Sequence, residues 1–227
     1  MIPASAYTAS TDAKYNQVWK ISKTAIDSGE QPPYILSPSI LNWPGSGDYS
    51  KNEMQFQAPF FDLNADGVYD TYSGDYPCIN GDQAVYFLYN DDRNTHTETQ
   101  GAKMGVEIHA LAYAFHNTAD SAINNTIFVK YQIFNQSRNT YHNTIFGKWT
   151  DTNIGKYDDD FVGCDVSRNA YYGYNGTACD GTGGPGTYGC HPPAQGVMML
   201  KGPWLIRRMA LIIITMEWWM NPANAGA

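Results

Sequence analysis

Val106-Glu107-Ile108-His109-Ala110-Leu111-Ala112-Tyr113-Ala114-Phe115, followed by Thr126-Ile127-Phe128-Val129-Lys130-Tyr131-Gln132-Ile133-Phe134-Asn135, is the stretch that decides the fold. In the first run Val106, Ile108, Ala110, Ala112 and Ala114 alternate with Glu107, His109, Leu111, Tyr113 and Phe115. That period of two puts successive side chains on opposite faces of a strand. In the second run Ile127, Val129, Tyr131 and Ile133 oppose Phe128, Lys130, Gln132 and Phe134. Both of its faces carry apolar groups, which predicts a strand covered on both sides. Working outward, Ala84–Tyr89, Thr144–Thr150 and Ala170–Tyr174 read as further strands, separated by Asn, Asp, Ser and Gly clusters. Strands at this spacing predict a mainly β fold, an antiparallel β-sandwich.

Upstream the pattern changes. Tyr15, Val18, Trp19 and Ile26, with Ile21 nearby, recur at helical spacing, and Thr11 or Asp12 stands where a cap belongs with Gly29 at the far end. This predicts one N-terminal helix over 11–28. Pro32-Pro33 then sets an extended exit. Pro32, Pro33, Pro38, Pro44 and Pro59 make 30–60 mostly loop, with Tyr34, Leu36, Leu41 and Trp43 as anchors. The expected organisation is a helical segment at 1–30 and a Pro-rich, acidic loop region at 31–83. A β-sandwich region at 84–203 forms one domain with those two, and an apolar tail covers 204–227. The Gly-rich stretch from Asp180 to Gly189 lacks the Gly-Lys-Ser/Thr of a phosphate loop and reads as a surface loop.

Composition narrows function. The chain has 227 residues, 14 basic against 22 acidic side chains and a formal charge of −8, which excludes the basic footprint of a nucleic-acid binder. Asp, Asn and Tyr are frequent, and Glu is confined to Glu30, Glu53, Glu98, Glu107 and Glu217, a bias that suits turns and strands over helices. No Cys-x-x-Cys pair exists among Cys78, Cys164, Cys179 and Cys190. Spacing leaves open a disulfide between Cys179 and Cys190 or four free thiols. The uncharged stretch Met209–Met216 is far below the roughly 18 residues a membrane span needs. No His-Glu-x-x-His and no Gly-x-Ser-x-Gly occurs, so zincin and serine-hydrolase chemistry lack their motifs. Glu107 and His109 share a strand face and read as a structural hydrogen bond.

The strongest chemical motif is Asp62-Leu63-Asn64-Ala65-Asp66-Gly67-Val68-Tyr69-Asp70. Side-chain oxygens at positions 1, 3 and 5 converge when the chain turns at a Gly in position 6, and the carbonyl of position 7 adds another donor. Hard oxygen donors suit Ca²⁺. Position 12 is Ser73 where an EF-hand has Glu, so Asp62, Asn64, Asp66 and the Val68 carbonyl would be completed by Asp70 and Asp75. The alternative is an Asx-rich turn without metal. A second, weaker candidate is Asp151, Asn153, Asp158, Asp159 and Asp160, read as a solvated loop or another calcium site. A glycosidase-like acid pair within 151–165 is a third reading. Tyr171, Tyr172 and Tyr174 could stack on sugar rings or pack within the sheet.

Trp19-Lys20-Ile21-Ser22-Lys23, Asn42-Trp43-Pro44-Gly45, Ala58-Pro59-Phe60-Phe61 running into the Asp62–Asp70 motif, and Gly74-Asp75-Tyr76-Pro77 form an ordered series. Gly81-Asp82-Gln83-Ala84, Asn90-Asp91, Gly105-Val106-Glu107-Ile108, Asn124-Asn125-Thr126-Ile127-Phe128 and Asp159-Asp160-Phe161-Val162-Gly163-Cys164-Asp165 extend it. Over residues 10–203 the series resembles an internal region of the large exported bacterial surface proteins that use the type IX secretion system. The resemblance implies export to the cell surface, an all-β region and calcium-type loops, and it transfers no catalytic residues. Met1-Ile2-Pro3-Ala4 lacks the features of a signal peptide, so the reading expects a fragment of a longer chain. The expected role is structural or adhesive and non-catalytic, with surface polysaccharide or other cell-surface proteins as partners. The alternative is a carbohydrate-binding accessory module of a secreted hydrolase. The tail has two readings. Ala210–Ile214 reads as a buried strand. Leu205–Ala225, back-translated with one consistent choice among the permitted codons and shifted by two bases, gives an acidic Asp/Asn/Gly-rich run, which predicts a frameshifted end over 204–227.

Overall fold

The computed structural model describes residues 13–29, 35–51, 53–116, 119–206 and 210–220, with side chains described through Lys201. The cap at Thr11 or Asp12, the Pro32-Pro33 exit, the Tyr34 anchor and the side chains of the tail lie outside these residues. The fold is mainly β with few helices. The chain divides into two compact units. One comprises Met1–Phe115, Lys130–Arg138 and Pro203–Ile212, the other His116–Val129, Asn139–Gly202 and Ile213–Ala227.

In the first unit β1 (Trp19–Ser22) pairs antiparallel with β4 (Gln83–Asn90), and β4 pairs antiparallel with β5 (Val106–Ala114). Trp19 lies opposite Tyr86 and Ile21 opposite Ala84. The expected helix over 11–28 is therefore corrected. Residues 13–15 are helical, Trp19–Ser22 is a strand, and the helix proper is α1 (Lys23–Gly29). The reason is which apolar residues win burial. Trp19 and Ile21 stand two apart, so a strand buries both, and Ile21 is 1% exposed while Val18, a member of the helical stripe, is 62% exposed. Ladder pairing to β4 overrides local helical spacing.

β1 and β4 carry the core. Trp19, Ile21, Ile26, Ile40, Trp43, Ala58, Ala84, Tyr86 and Leu111 form one buried cluster. Tyr86 is its centre, with its ring centroid 5.9 Å from both Trp19 and Trp43. The Trp43 Nε1–H donates to the Pro59 carbonyl at 2.9 Å, so the indole is buried without an orphaned donor. Ile40 enters from α2 (Pro38–Leu41), which has Pro at its first turn, where the missing N–H costs nothing. The short strands β2 (Phe60–Phe61) and β3 (Tyr76–Pro77) pair antiparallel and frame the Asp62–Asp75 loop.

In the second unit α3 (Ser121–Asn124) is capped by the Asp120 carboxylate. It leads into β6 (Thr126–Asn135), whose bounds are those the alternation predicts and whose residues from Lys130 on belong to the first unit. β7 (Asp160–Asp165) pairs antiparallel with β8 (Ala170–Asn175), and β8 with β11 (Ala194–Ile206). β12 (Ala210–Met220), whose residues to Ile212 belong to the first unit, is a strand, as the aliphatic run in the tail suggests. The strand expected at 144–150 is corrected to irregular backbone. Its strand formers find no apolar cover, since Ile145 and Trp149 are exposed, and the chain crosses instead to the fully buried Ile154. β9 (Cys179–Asp180) and β10 (Gly189–Cys190) form a hairpin with Cys179 opposite Cys190, and these two are disulfide-bonded. Cys78 and Cys164 are free. Closing a loop of this length stabilises the folded unit by roughly 3 kcal/mol.

The β1 register is directly testable. Ile21→Ala should cost about 2–5 kcal/mol in chemical denaturation through its cavity, whereas Val18→Ala should stay within about 0.5 kcal/mol. A helix over 11–28 would make the two losses comparable.

Candidate functional site

The loop from Asp62 to Asp75 is built by its own carboxylates. Asp62 Oδ2 accepts from the Gly67 N–H at 2.8 Å and Oδ1 from the Asp66 N–H at 3.3 Å. Asn64 Oδ1 also takes the Asp66 N–H, and the Asn64 amide donates to Asp66 Oδ2 at 2.8 Å. Asp66 Oδ1 in turn accepts from the Val68 N–H at 2.8 Å. Gly67 sits at φ +77°, the left-handed region that lets its N–H turn back on Asp62. Asp62, Asn64 and Asp66 are therefore brought together around one turn.

The other expected ligands have separate positions. Asp75 is 3% exposed and ties the two ends of the loop, Oδ1 accepting from the Leu63 N–H at 2.9 Å and Oδ2 from the Asp70 N–H at 3.0 Å. Asp70 caps the 3₁₀ turn Thr71–Ser73 through the Tyr72 N–H and the Ser73 hydroxyl. Val68 is exposed. Among the described residues, no Lys, Arg or His pairs with Asp62, Asp66, Asp70 or Asp75. No three His, Cys, Asp or Glu side chains among the described residues form a ready metal cage.

The second acidic group separates. Asp151, Asn153 and Asp158 are exposed, and Asp158 pairs with Lys156 at 2.8 Å. Asp159 and Asp160 are half-buried, and Asp160 Oδ2 accepts from the Ile154 N–H at 2.8 Å. Burial raises the Asp160 carboxyl from its ordinary value. The Ile154 N–H opposes that shift, and the charges of Asp159 and Asp180 add to it. Asp180, a site residue the sequence reading missed, is fully buried and accepts from the Lys156 N–H at 2.9 Å and from the Tyr188 N–H. Of the three tyrosines, Tyr172 and Tyr174 share one face with Phe161, centroids 5.9 and 6.1 Å from Tyr174. Tyr171 instead bonds the Thr150 hydroxyl at 2.8 Å.

Sequence spacing also gave no signal for a cavity of about 590 Å³ in the first unit, lined by Tyr15, Glu53, Gln57, Tyr89, Asp91, Arg93 and Glu107 among others. Glu53 Oε2 is its fixed point. It accepts from Lys14 Nζ and the Tyr15 hydroxyl, both at 2.6 Å, and from the Asp48 N–H at 2.8 Å. The Tyr15 hydroxyl accepts from Gln57 Nε2 at 2.8 Å. Behind the wall, buried His109 Nε2 meets Glu107 Oε1 at 2.7 Å, the expected strand-face contact.

No family model, curated protein or solved structure matches the chain.

The Glu53 network makes stability depend on pH. Burial pushes the Glu53 carboxyl up, but the Lys14, Tyr15 and Asp48 contacts outweigh it and hold it below the ordinary value. A depressed carboxyl stabilises the fold above the unfolded pKa of about 4.3, and that contribution is lost as pH falls through the folded value. Glu53→Gln should cost about 1–3 kcal/mol at pH 7 and lose less stability than the parent when denaturation is repeated in acid. Parallel acid limbs in the two proteins would remove Glu53 from the account.

Proposed function

We propose that this chain is a non-catalytic structural or adhesive segment of an exported bacterial surface protein, a β-sandwich whose long loops are stabilised by calcium. One observation carries the reading. The carboxylates of Asp62, Asp66, Asp70 and Asp75 stand in a single hairpin loop and meet only neutral donors, N–H, amide and hydroxyl, among the described residues. N–H donors satisfy their lone pairs but leave their charges uncancelled, and a divalent cation with oxygen preference supplies what the loop lacks. The Asp62, Asn64 and Asp66 side chains already converge on the turn at Gly67. Asp70 or Asp75 reaches the same ion by changing a contact within the loop. The Cys179–Cys190 disulfide supports an oxidising compartment, since such bonds persist outside the cytosol. Among the described residues no helix is long and apolar enough to cross a membrane.

A second reading, binding of surface polysaccharide, is favoured by the aromatic face of β7 and β8. Phe161 and Tyr174 are 57% and 41% exposed and lie 30° from coplanar, a surface on which a sugar ring can stack.

Melting of the full chain with and without a chelator tests the first reading. At calcium about a hundredfold above Kd the fold gains about 2.7 kcal/mol, so chelation should lower Tm by about 5–10 °C. Asp62→Asn with Asp66→Asn should abolish the part of that shift belonging to this loop. Coincident melts with calcium and with chelator would sink the reading. For the second, Phe161→Ala with Tyr174→Ala should release the chain from insoluble polysaccharide without lowering Tm. Absence of any retention of the parent protein decides against it.

A further inference from the structure

β7 and β8 present opposite chemistry on their two faces. Phe161, Tyr172 and Tyr174 occupy one. On the other, Tyr171 and Gly173 lie under the irregular segment 150–156, whose Ile154 N–H reaches Asp160. Thr150 bonds the Tyr171 hydroxyl, and a Cβ on Gly173 would stand 2.4 Å from the Thr152 hydroxyl. Asp160 is the register partner of Asn175, so the two side chains emerge side by side under this cover. Asn175 is 8% exposed. Its amide nitrogen donates to the Thr177 carbonyl at 2.9 Å, which fixes the assignment of its two amide atoms, because a carbonyl accepts only from N–H. The Oδ1 of Asn175 is therefore an oxygen, buried and without any hydrogen-bond partner, and the Oδ1 atoms of Asp160 and Asp159 share that condition.

Three buried oxygens at one strand end, all acceptors and none satisfied, call for a positive centre. The backbone around them is held in place. The Ile154 N–H binds Asp160 and the Lys156 N–H binds Asp180, so two residues of one turn each hold a carboxylate. Gly155 between them packs so closely that a Cβ there would lie 1.8 Å from Asp180 Oδ2. Asp180 belongs to β9, which the Cys179–Cys190 bond locks to β10. The Lys156 ammonium engages exposed Asp158.

We propose that this covered end of β7 and β8 binds a divalent cation of the calcium class. The Oδ1 atoms of Asp160, Asn175 and Asp159 are its protein ligands, and Asp180 adds negative field from behind the turn. Two carboxylates and one amide oxygen are hard donors of the kind calcium takes, and its remaining positions are filled by water or carbonyl oxygen. The site shares no residue with the Asp62–Asp75 loop and does not depend on that loop holding metal.

The test uses the full, disulfide-bonded chain with Asp62→Asn and Asp66→Asn introduced, which removes the other loop from the readout. Terbium, sensitised by tyrosine and displaced by calcium chloride, should report one remaining site. Asn175→Ala should weaken it roughly ten- to a hundredfold, Asp160→Asn should do the same, and Asn175→Asp, which keeps an oxygen in place, should retain it. In the parent chain, calcium should slow hydrogen exchange at the Ile154 and Lys156 amides, a measurement that does not depend on any variant folding. No terbium signal that calcium displaces, unchanged affinity in both weakening variants, or exchange at these amides indifferent to calcium would each overturn the proposal. The last is the outcome expected if buried water alone satisfies the three oxygens.

Discussion

A buried or turned-in backbone N–H must find an acceptor, and in this protein the acceptor outside the strands is repeatedly an Asp carboxylate. Asp62 takes the N–H groups of Asp66 and Gly67, Asp75 those of Leu63 and Asp70, Asp91 those of Met104 and Val106, and Asp180 those of Lys156 and Tyr188. Asp120 does the same at the start of α3. At Asp66, Asp70 and Asp120 the short side chain reaches the N–H two residues on, which is what fixes an Asx turn. A fold with long irregular connections between its strands needs many such anchors. The scarcity of Glu beside abundant Asp is the compositional trace of that need.

The same local character explains what could be read in advance. Asp62, Asn64 and Asp66 act on neighbours within five residues, so their spacing alone announces the turn at Gly67. β5 and β6 were legible because alternation over a long run specifies a strand wherever it is buried. Trp19 and Ile21 were ambiguous, since two apolar residues spaced two apart in a stretch that also carries Tyr15, Val18 and Ile26 satisfy both periods. Pairing with Ala84 and Tyr86, more than sixty residues on, resolved them. Thr144–Thr150 failed for the converse reason, as its residues favour strand but nothing apolar covers Ile145 or Trp149.

Polar groups gathered outside the loop were illegible because they are assembled from separated parts of the chain. Glu53 is fixed by Lys14 and Tyr15, 39 and 38 residues earlier. Asn175 carries no signal in the sequence, and it stands beside Asp160 through a register no local pattern encodes. Asp180 reads as one edge of a Gly-rich loop until the hairpin closes around Cys179 and Cys190.

The two acidic regions differ in what a cation would do for each. In the Asp62–Asp75 loop the oxygens already have N–H partners, so a cation would act on the accumulated charge, with an effect screened by salt because most of the loop is exposed. At Asp160 and Asn175 the charge is smaller but the oxygens themselves are unsatisfied under the cover of 150–156. A buried acceptor left open costs about 1–3 kcal/mol, a cost that salt does not screen away. Sensitivity to ionic strength should therefore separate them. The exposed loop's response to calcium should fade at high salt, and that of the covered strand end should persist.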